Sequence, residues 1–181
     1  MLTADSDWDG IVEKLGLPLI VKPAQEGSSV GMSKVDNATQ LKAAWQVASE
    51  YDSQVLAESW ITGGEYTVAI LAGKTLPAIR LETNRNFYDY TAKYEQDDNR
   101  YFCPCGLSNE KEAQLADLAK QAFFALGCSH YGRVDVMLDE AQNPWLLEAN
   151  TIPGMTDHSL VPMAAKVAGL SFDELVLAIV D

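Results

Sequence analysis

Histidine and cysteine are scarce in this sequence, two and three among 181 residues. Cys103, Cys105 and Cys128 are odd in number and form no CxxC pair, so they read as the reduced thiols of a cytoplasmic protein rather than as a disulfide framework. A zinc clip at Cys103-Pro104-Cys105 would need two more ligands, with only His130 and His158 to supply them, and is disfavoured. Basic residues are few: 13 Lys and Arg against 26 Asp and Glu, a formal net charge of −13. That balance argues against a nucleic-acid partner, which needs clustered Lys and Arg, and leaves room for a bound divalent cation. No apolar run approaches the roughly 18 residues of a membrane helix, so no membrane partner is expected. The opening MLTADSDWDG, acidic and without an apolar stretch, does not read as a signal peptide. Glycine-rich nucleotide fingerprints of the Rossmann and P-loop kinds are absent, as is the G-x-S-x-G elbow; the neighbours His158 and Ser159 do not make a hydrolase pair.

Apolar residues at 48% and charged residues at 22% are globular values, and the length suits one domain or two small ones sharing a core. Leu17 to Lys22 is expected to form a buried strand, followed by a Gly/Ser turn from Glu26 to Gly31 and a short strand. Asp36-Asn37 can cap a helix whose Leu41, Ala44, Trp45 and Ala48 share a face, and Val55 to Glu58 reads as a strand. After Thr62-Gly63-Gly64, Tyr66, Val68 and Ile70 alternate with Thr67, Ala69 and Leu71; a turn at Ala72-Gly73-Lys74 leads to a strand from Leu76 to Leu81. Thr83 to Gly106 fits no regular element, and a polar, tyrosine-rich loop of that length is usually functional. A helix then starts at Ser108 or Asn109, with Leu115, Leu118, Ala119, Ala122, Phe123 and Leu126 as its apolar stripe and Gly127 at its end. Tyr131 to Asp139 and Trp145 to Asn150 read as two strands joined by a turn, and Ser171-Phe172-Asp173-Glu174 as a capping box opening a last helix. Hairpins mixed with helices predict an α+β or mixed α/β fold rather than a doubly wound sheet.

Chemistry concentrates on the late hairpin. Side chains alternate along a strand, so Arg133 and Asp135 share one face, and Glu148 and Asn150 share one face of the next strand. Paired, the two strands would gather three oxygen ligands and a guanidinium. Carboxylate and amide oxygens suit Mg²⁺, and Arg133 could neutralise them or stabilise charge developing on a substrate. The competing reading is a plain surface ion pair. Lys22 followed by Glu26-Gly27-Ser28-Ser29-Val30-Gly31 could present N–H groups and hydroxyls to phosphate, or be an ordinary hairpin turn with a solvated lysine. The aromatic stretch Phe87 to Tyr94 could close over a substrate, and disordered segments seldom carry so many aromatics. Thr151 to Pro162 follows the acidic strand, and Gly154 would let backbone approach a ligand.

Six blocks then combine: VKPAQEGSSVGMSKV, ESWITGGEYTVAIL, FYDYTAKY, YFCPCGLS, GRVDVMLD and LEANTIPGMTDHSLVP. In order, from about Leu15 to the C-terminus, they resemble the D-alanine–D-alanine ligases of the ATP-grasp superfamily. The resemblance implies an α+β ATP-grasp fold with ATP between antiparallel sheets of two subdomains, here a partial central one at 1–61 and a C-terminal one at 62–181. It implies that Lys22 and Lys93 contact the phosphates, that Glu58 and the backbone near Ile61 hold adenine, and that Glu65 holds ribose. Ser28 and Ser29 would lie on the loop covering phosphate and substrate, with Tyr94 closing against it. Asp135, Glu148 and Asn150 would bind two Mg²⁺ ions, for which Mn²⁺ can substitute. Arg133 and the Gly154 N–H would form the oxyanion site, and Ser159 with the Leu160 N–H would receive the carboxylate of the second D-alanine. The implied reaction runs through an acyl phosphate to D-alanyl-D-alanine, for peptidoglycan synthesis in the cytoplasm, by a protein that is a homodimer when complete.

Family members begin with a further domain, so the chain is expected to be a C-terminal fragment with little or no ligase activity alone and with 1–16 weakly anchored. Ser59, Cys105 and Ile152 stand where lysine, alanine and serine are common. The alternatives are a ligase for another amino or hydroxy acid, and a nucleotide- or metal-binding module without turnover.

Overall fold

Three short strands pair antiparallel in the first of two units into which the chain divides, Met1–Trp60 and Ile61–Asp181. The computed structural model describes residues 1–27, 29–83 and 99–180. In the first unit β1 (Leu19–Pro23) lies between β2 (Ser33–Val35) and β3 (Val55–Ser59). Leu19 and Val21 point to one face, where Val35, Val55 and the helix α2 (Ala38–Ser49) complete a core with Leu41, Ala44 and Ala48. Asn37 is the cap residue of α2, but its side chain makes no capping bond; the Gln40 carboxamide instead accepts from the Asp36 N–H at 2.9 Å.

The opening residues depart from the expectation of weak anchoring. Trp8–Leu15 forms a helix, α1, in which Trp8, Ile11, Val12 and Leu15 recur at helical spacing and pack on that core. Asp7 caps it by accepting from the Gly10 N–H, and Gly16, at φ 75°, ends it. The Leu2 N–H donates to the Val55 carbonyl at 2.7 Å, extending the sheet edge. Ser59, where a lysine is common, donates its hydroxyl to the Leu15 carbonyl at 2.9 Å and so ties the end of α1 to β3.

The second unit carries a six-stranded antiparallel sheet. Its strands are β4 (Gly63–Leu71), β5 (Lys74–Thr75), β6 (Ile79–Thr83), β7 (Asn99–Phe102), β8 (Tyr131–Asp139) and β9 (Pro144–Asn150). The order is β7-β6-β4-β8-β9, with β5 beside β4. The strand expected from Leu76 to Leu81 is split: Pro77 has no N–H for a ladder, and pairing resumes only at Ile79. Asn99–Phe102, inside the stretch read as irregular, is a strand paired with β6.

Both faces of this sheet are covered by helices. On one, Tyr66, Val68, Ile70, Val134, Val136 and Leu138 pack against Leu115, Ala119 and Phe123 of α3 (Asn109–Ala125). Cys105 is buried in the same cluster, which gives this unusual position an apolar packing role; all three cysteines are free. On the other face, Ala69, Leu71 and Ile79 meet Val161, Ala164 and Ala165 of α4 (Leu160–Val167) and Leu175 of α5 (Phe172–Val180). The capping box of α5 closes in both directions: the Ser171 N–H donates to Glu174 Oε2 at 2.8 Å and the Glu174 N–H to Ser171 Oγ at 3.2 Å. The architecture is α+β. Among the described residues no helix is long and apolar enough to cross a membrane.

Candidate functional site

Where α4 and α5 leave their face of the sheet, the strands turn polar. On β4 the residues sharing parity with Ala69 are Thr67 and Glu65; on β8 they are Arg133 and Asp135. The β4–β8 register sets Thr67 opposite Asp135 and Ala69 opposite Arg133. The β8–β9 register sets Asp135 opposite Glu148 and Arg133 opposite Asn150. Directly opposed residues of antiparallel strands share a face, so all of these lie together.

A β-bulge makes that arrangement. Pairing runs Leu138 with Pro144, Met137 with Trp145 and Val136 with Leu146, then skips Leu147, so that Asp135 meets Glu148. Without the extra residue, Glu148 would stand opposite Val134, on the face buried under α3. With it, Ala149 takes that place and packs on the α3 cluster. The hairpin is pinned at its turn by Asp139, whose carboxylate accepts from the Asn143 N–H at 2.7 Å and the Trp145 indole N–H at 3.1 Å. Those bonds, the Asn143 backbone first, hold its carboxyl below the ordinary value.

Arg133 grips Asp135 with two parallel bonds, Nε to Oδ1 at 2.8 Å and Nη2 to Oδ2 at 2.8 Å. Thr67 Oγ1 donates to the same Oδ1 at 2.6 Å. Asp135 and Thr67 are the two buried polar or charged residues of the described chain. Burial alone would lower the Arg133 guanidinium, but its bonds to Asp135 and the charges of Asp135, Glu148 and Glu65 raise it beyond its ordinary value. Burial pushes the Glu65 carboxyl up, and repulsion from Asp135 and Glu148 adds to this against the pull of Arg133. Three carboxylates against one guanidinium leave the cluster with two negative charges in excess. Its donors are carboxylate and amide oxygens, the set that hard divalent cations take, so the residues present fit Mg²⁺ or Mn²⁺. Among the described residues no group of three or more His, Cys, Asp or Glu side chains is arranged to hold a metal ion. The Asn150 carboxamide oxygen accepts from the Ile152 N–H at 3.2 Å, which orients it at the end of β9.

The chain after β9 brings Gly154, Ser159 and Leu160 to the start of α4. Ser159 precedes the helix; its hydroxyl accepts from the Thr156 N–H at 3.0 Å and shares a bond with the Thr156 hydroxyl at 2.9 Å. A Cβ on Gly154 would stand 2.9 Å from Ser159 Oγ, so Gly154 packs closely against the serine hydroxyl. Leu160 is the first residue of α4, and its N–H has no partner within the helix.

The first unit holds Lys22, Ser29 and Glu58. Lys22 Nζ pairs with Glu58 Oε2 at 2.7 Å on the face of β1 and β3 away from α2. Ser29, at φ 62°, and Gly31, at φ 68°, turn the chain between β1 and β2. A Cβ on Gly31 would stand 2.6 Å from a Tyr51 ring carbon. Ile61 opens the second unit. Ser28, Lys93, Tyr94 and the rest of the tyrosine-rich loop from Phe87 to Tyr94 lie outside the described residues. Thr67 is not among the residues the sequence singles out; the signal for it was a hydroxyl in an otherwise apolar strand, TVAIL.

The family model for the D-ala D-ala ligase C-terminus matches residues 3–181. A curated D-alanine–D-alanine ligase of Ectopseudomonas mendocina is 59% identical over 179 residues, which cover 99% of this chain and 57% of that protein. Among solved structures, the VanG D-Ala:D-Ser ligase of Enterococcus faecalis superposes with a TM-score of 0.86 at 34% identity, over 95% of this chain and 51% of that one. The D-alanine–D-alanine ligase of Bacillus anthracis complexed with ATP does so with a TM-score of 0.80 at 31% identity, over 99% of this chain and 55% of that one. The chain thus spans little more than half the length of the relatives it matches, and its fold is the ATP-grasp fold of those ligases. With nearly every residue inside the matched region, this chain belongs to the D-ala D-ala ligase C-terminus family.

Proposed function

We propose that this chain is the nucleotide-, metal- and acceptor-binding part of an ADP-forming ligase that joins two D-alanines for peptidoglycan synthesis. The observation that carries this reading is the paired set Arg133–Asn150 and Asp135–Glu148, which brings an acidic oxygen cluster, with Asp135 buried and Glu148 exposed, to one face of the sheet in a chain of this family. Residues 1–61 serve as the partial central subdomain and 62–181 as the C-terminal one. In the first step the carboxylate of one D-alanine attacks the γ-phosphorus of ATP; a P–O bond forms, the bond to ADP breaks, and an acyl phosphate results. In the second step the amine of another D-alanine attacks that carbonyl, loses a proton, and expels phosphate.

No covalent nucleophile is needed from the protein, in keeping with its few histidines and cysteines. Asp135, Glu148 and Asn150 would hold Mg²⁺, which would supply neutralisation of the charge on the transferring phosphoryl group. Lys22 and Lys93 bind phosphates, Glu58 and the Ile61 backbone hold adenine, and Glu65 holds ribose. Arg133 and the Gly154 N–H stabilise the oxygen that becomes negative when the amine attacks. Ser159 and the Leu160 N–H bind the acceptor carboxylate, a fit for the helix N-terminus there. Ser28, Ser29 and Tyr94 enclose the reactants and exclude water. The complete protein acts in the cytoplasm as a homodimer, without nucleic-acid or membrane partners.

Calorimetric titration of Mg·ADP into the purified chain tests the binding half of this reading. Saturable binding that Asp135→Ala and Glu148→Ala abolish is expected; binding indifferent to both would remove the metal assignment. Phosphate release by the complete protein, with D-alanine, D-serine or D-lactate as acceptor, tests the substrate. D-serine is the second reading, favoured by the superposition on a D-Ala:D-Ser ligase.

A further inference from the structure

The face of β1, β2 and β3 away from α2 carries two lysines, and each is matched by a carboxylate of the chain itself. Ile20 stands between its register partners, Lys34 on β2 and Glu58 on β3, and Lys22 shares its parity on β1. Lys22 Nζ lies 2.7 Å from Glu58 Oε2, and Lys34 Nζ lies 2.8 Å from Asp36 Oδ1. The Lys22 and Glu58 side chains are 21% and 42% exposed, so their pair is open to a ligand. Its two halves ask for opposite things: an ammonium only donates, and a carboxylate only accepts. A ligand that is all phosphate offers acceptors alone. It satisfies Lys22, brings its charge against Glu58, and gives that carboxylate nothing in return. A nucleotide with an amino group on its base offers a donor as well as its phosphates, so one molecule answers both halves.

We propose that Glu58 is a specificity-determining residue: by pairing with Lys22 it makes this face discriminate against inorganic polyphosphate and in favour of an amino-bearing nucleotide. This rests on the reading of Lys22 as a phosphate contact and Glu58 as an adenine contact. Its consequence is that phosphate alone is a poor ligand. A polyphosphate meets an ammonium whose charge is already neutralised, and nothing it carries offsets the repulsion from Glu58. The base of a nucleotide supplies that offset by donating to the carboxylate, a bond strengthened by the acceptor's charge. Without the carboxylate, Lys22 would take either ligand by its phosphates.

The test is calorimetric titration of ADP and of tripolyphosphate, at one fixed Mg²⁺ concentration, into the 181-residue chain. Parent, Glu58→Gln, Lys22→Gln and the doubly substituted chain are compared, each shown by circular dichroism to be folded at the assay temperature. Glutamine keeps the size of the side chain and an acceptor oxygen and removes the charge. In Glu58→Gln, tripolyphosphate is expected to bind about fivefold tighter, the scale of a part-exposed ion pair, while ADP gains nothing, so the preference for ADP narrows by that factor. In the Lys22→Gln background the same substitution should bring no gain, because the effect runs through the ammonium. Equal gains for both ligands in Glu58→Gln, no gain for tripolyphosphate, or a gain that survives in Lys22→Gln overturns the discriminating role alone. A parent that binds neither ligand, or tripolyphosphate binding that Lys22→Gln leaves unchanged, overturns the phosphate reading of Lys22 and this proposal with it.

Discussion

The two faces of β4 and β8 are made by the same eighteen residues and carry opposite kinds of side chain. Toward α3 stand Tyr66, Val68, Ile70, Val134, Val136 and Leu138, all buried and apolar. Toward α4 and α5 the apolar lining stops at Ala69 and Leu71, and Glu65, Thr67, Arg133 and Asp135 follow. On these two strands the α3 face is apolar throughout, whereas the opposite face is divided along its length between an apolar half under α4 and α5 and the polar cluster. A change on the first face should cost folding energy and leave cation binding intact wherever the chain stays folded; a change on the second should do the reverse.

Phe123→Ala is the largest expected loss. The ring is fully buried against Gly132 and the sheet, and its removal should destabilise the chain by about 3–5 kcal/mol. Urea unfolding measures this, while Mn²⁺ affinity below the transition should stay within about twofold, the margin expected of a site it does not touch. Asp135→Asn reverses the pattern. It strips the half-buried Arg133 of its anionic partner at a cost of about 1–3 kcal/mol, less than the core truncation, and should abolish cation binding. If both variants lost binding equally, the two faces would not be separable.

Glu65→Gln sharpens the comparison through pH. The folded-state carboxyl lies above its ordinary value of 4.5, chiefly through burial and then through Asp135. Its support for folding is therefore fully present below the unfolded pKa and lost as pH rises through the folded one. In metal-free buffer at neutral pH, Glu65→Gln should unfold at higher urea than the parent, and the gap should close in acid. Added Mg²⁺ should narrow it as well, because a cation relieves the repulsion. Ser171→Ala, at the start of α5, touches neither the α3 core nor the acid cluster and should cost only about 0.5–1 kcal/mol, seen as a small shift of the urea midpoint. The same cap holds Glu174 below its ordinary value, first through the Ser171 backbone N–H. The help Glu174 gives is present above the unfolded pKa and lost as pH falls through the folded one, so Glu174→Gln should differ from its parent at neutral pH and converge with it in acid.

Much of this was legible in the residues themselves. The alternation Tyr66-Val68-Ile70, the stripe Leu115-Ala119-Phe123 and the Ser171–Glu174 box each report a local rule, and each forms as that rule requires. The opening helix was masked because Asp5, Asp7, Asp9 and Glu13 dilute its apolar face, while Trp8, Ile11, Val12 and Leu15 still keep helical spacing. The strand β7 was hidden because Asn99-Arg100-Tyr101-Phe102 has no alternation of its own and is ordered by pairing with β6. Thr67 escaped because a threonine in a strand is ordinary; only the residue across the sheet makes its hydroxyl consequential.

The sequence by itself determined which side chains share a face within each strand, since that follows from the two-residue repeat of an extended chain: Arg133 with Asp135, and Glu148 with Asn150. It did not determine that the two pairs meet. A regular hairpin continued from Val136 and Leu146 would bring Glu148 against Val134 and bury its charge under α3. The tertiary structure decided otherwise by setting Leu147 out of register, because the α3 core accepts the methyl of Ala149 and strongly disfavours an unpaired carboxylate.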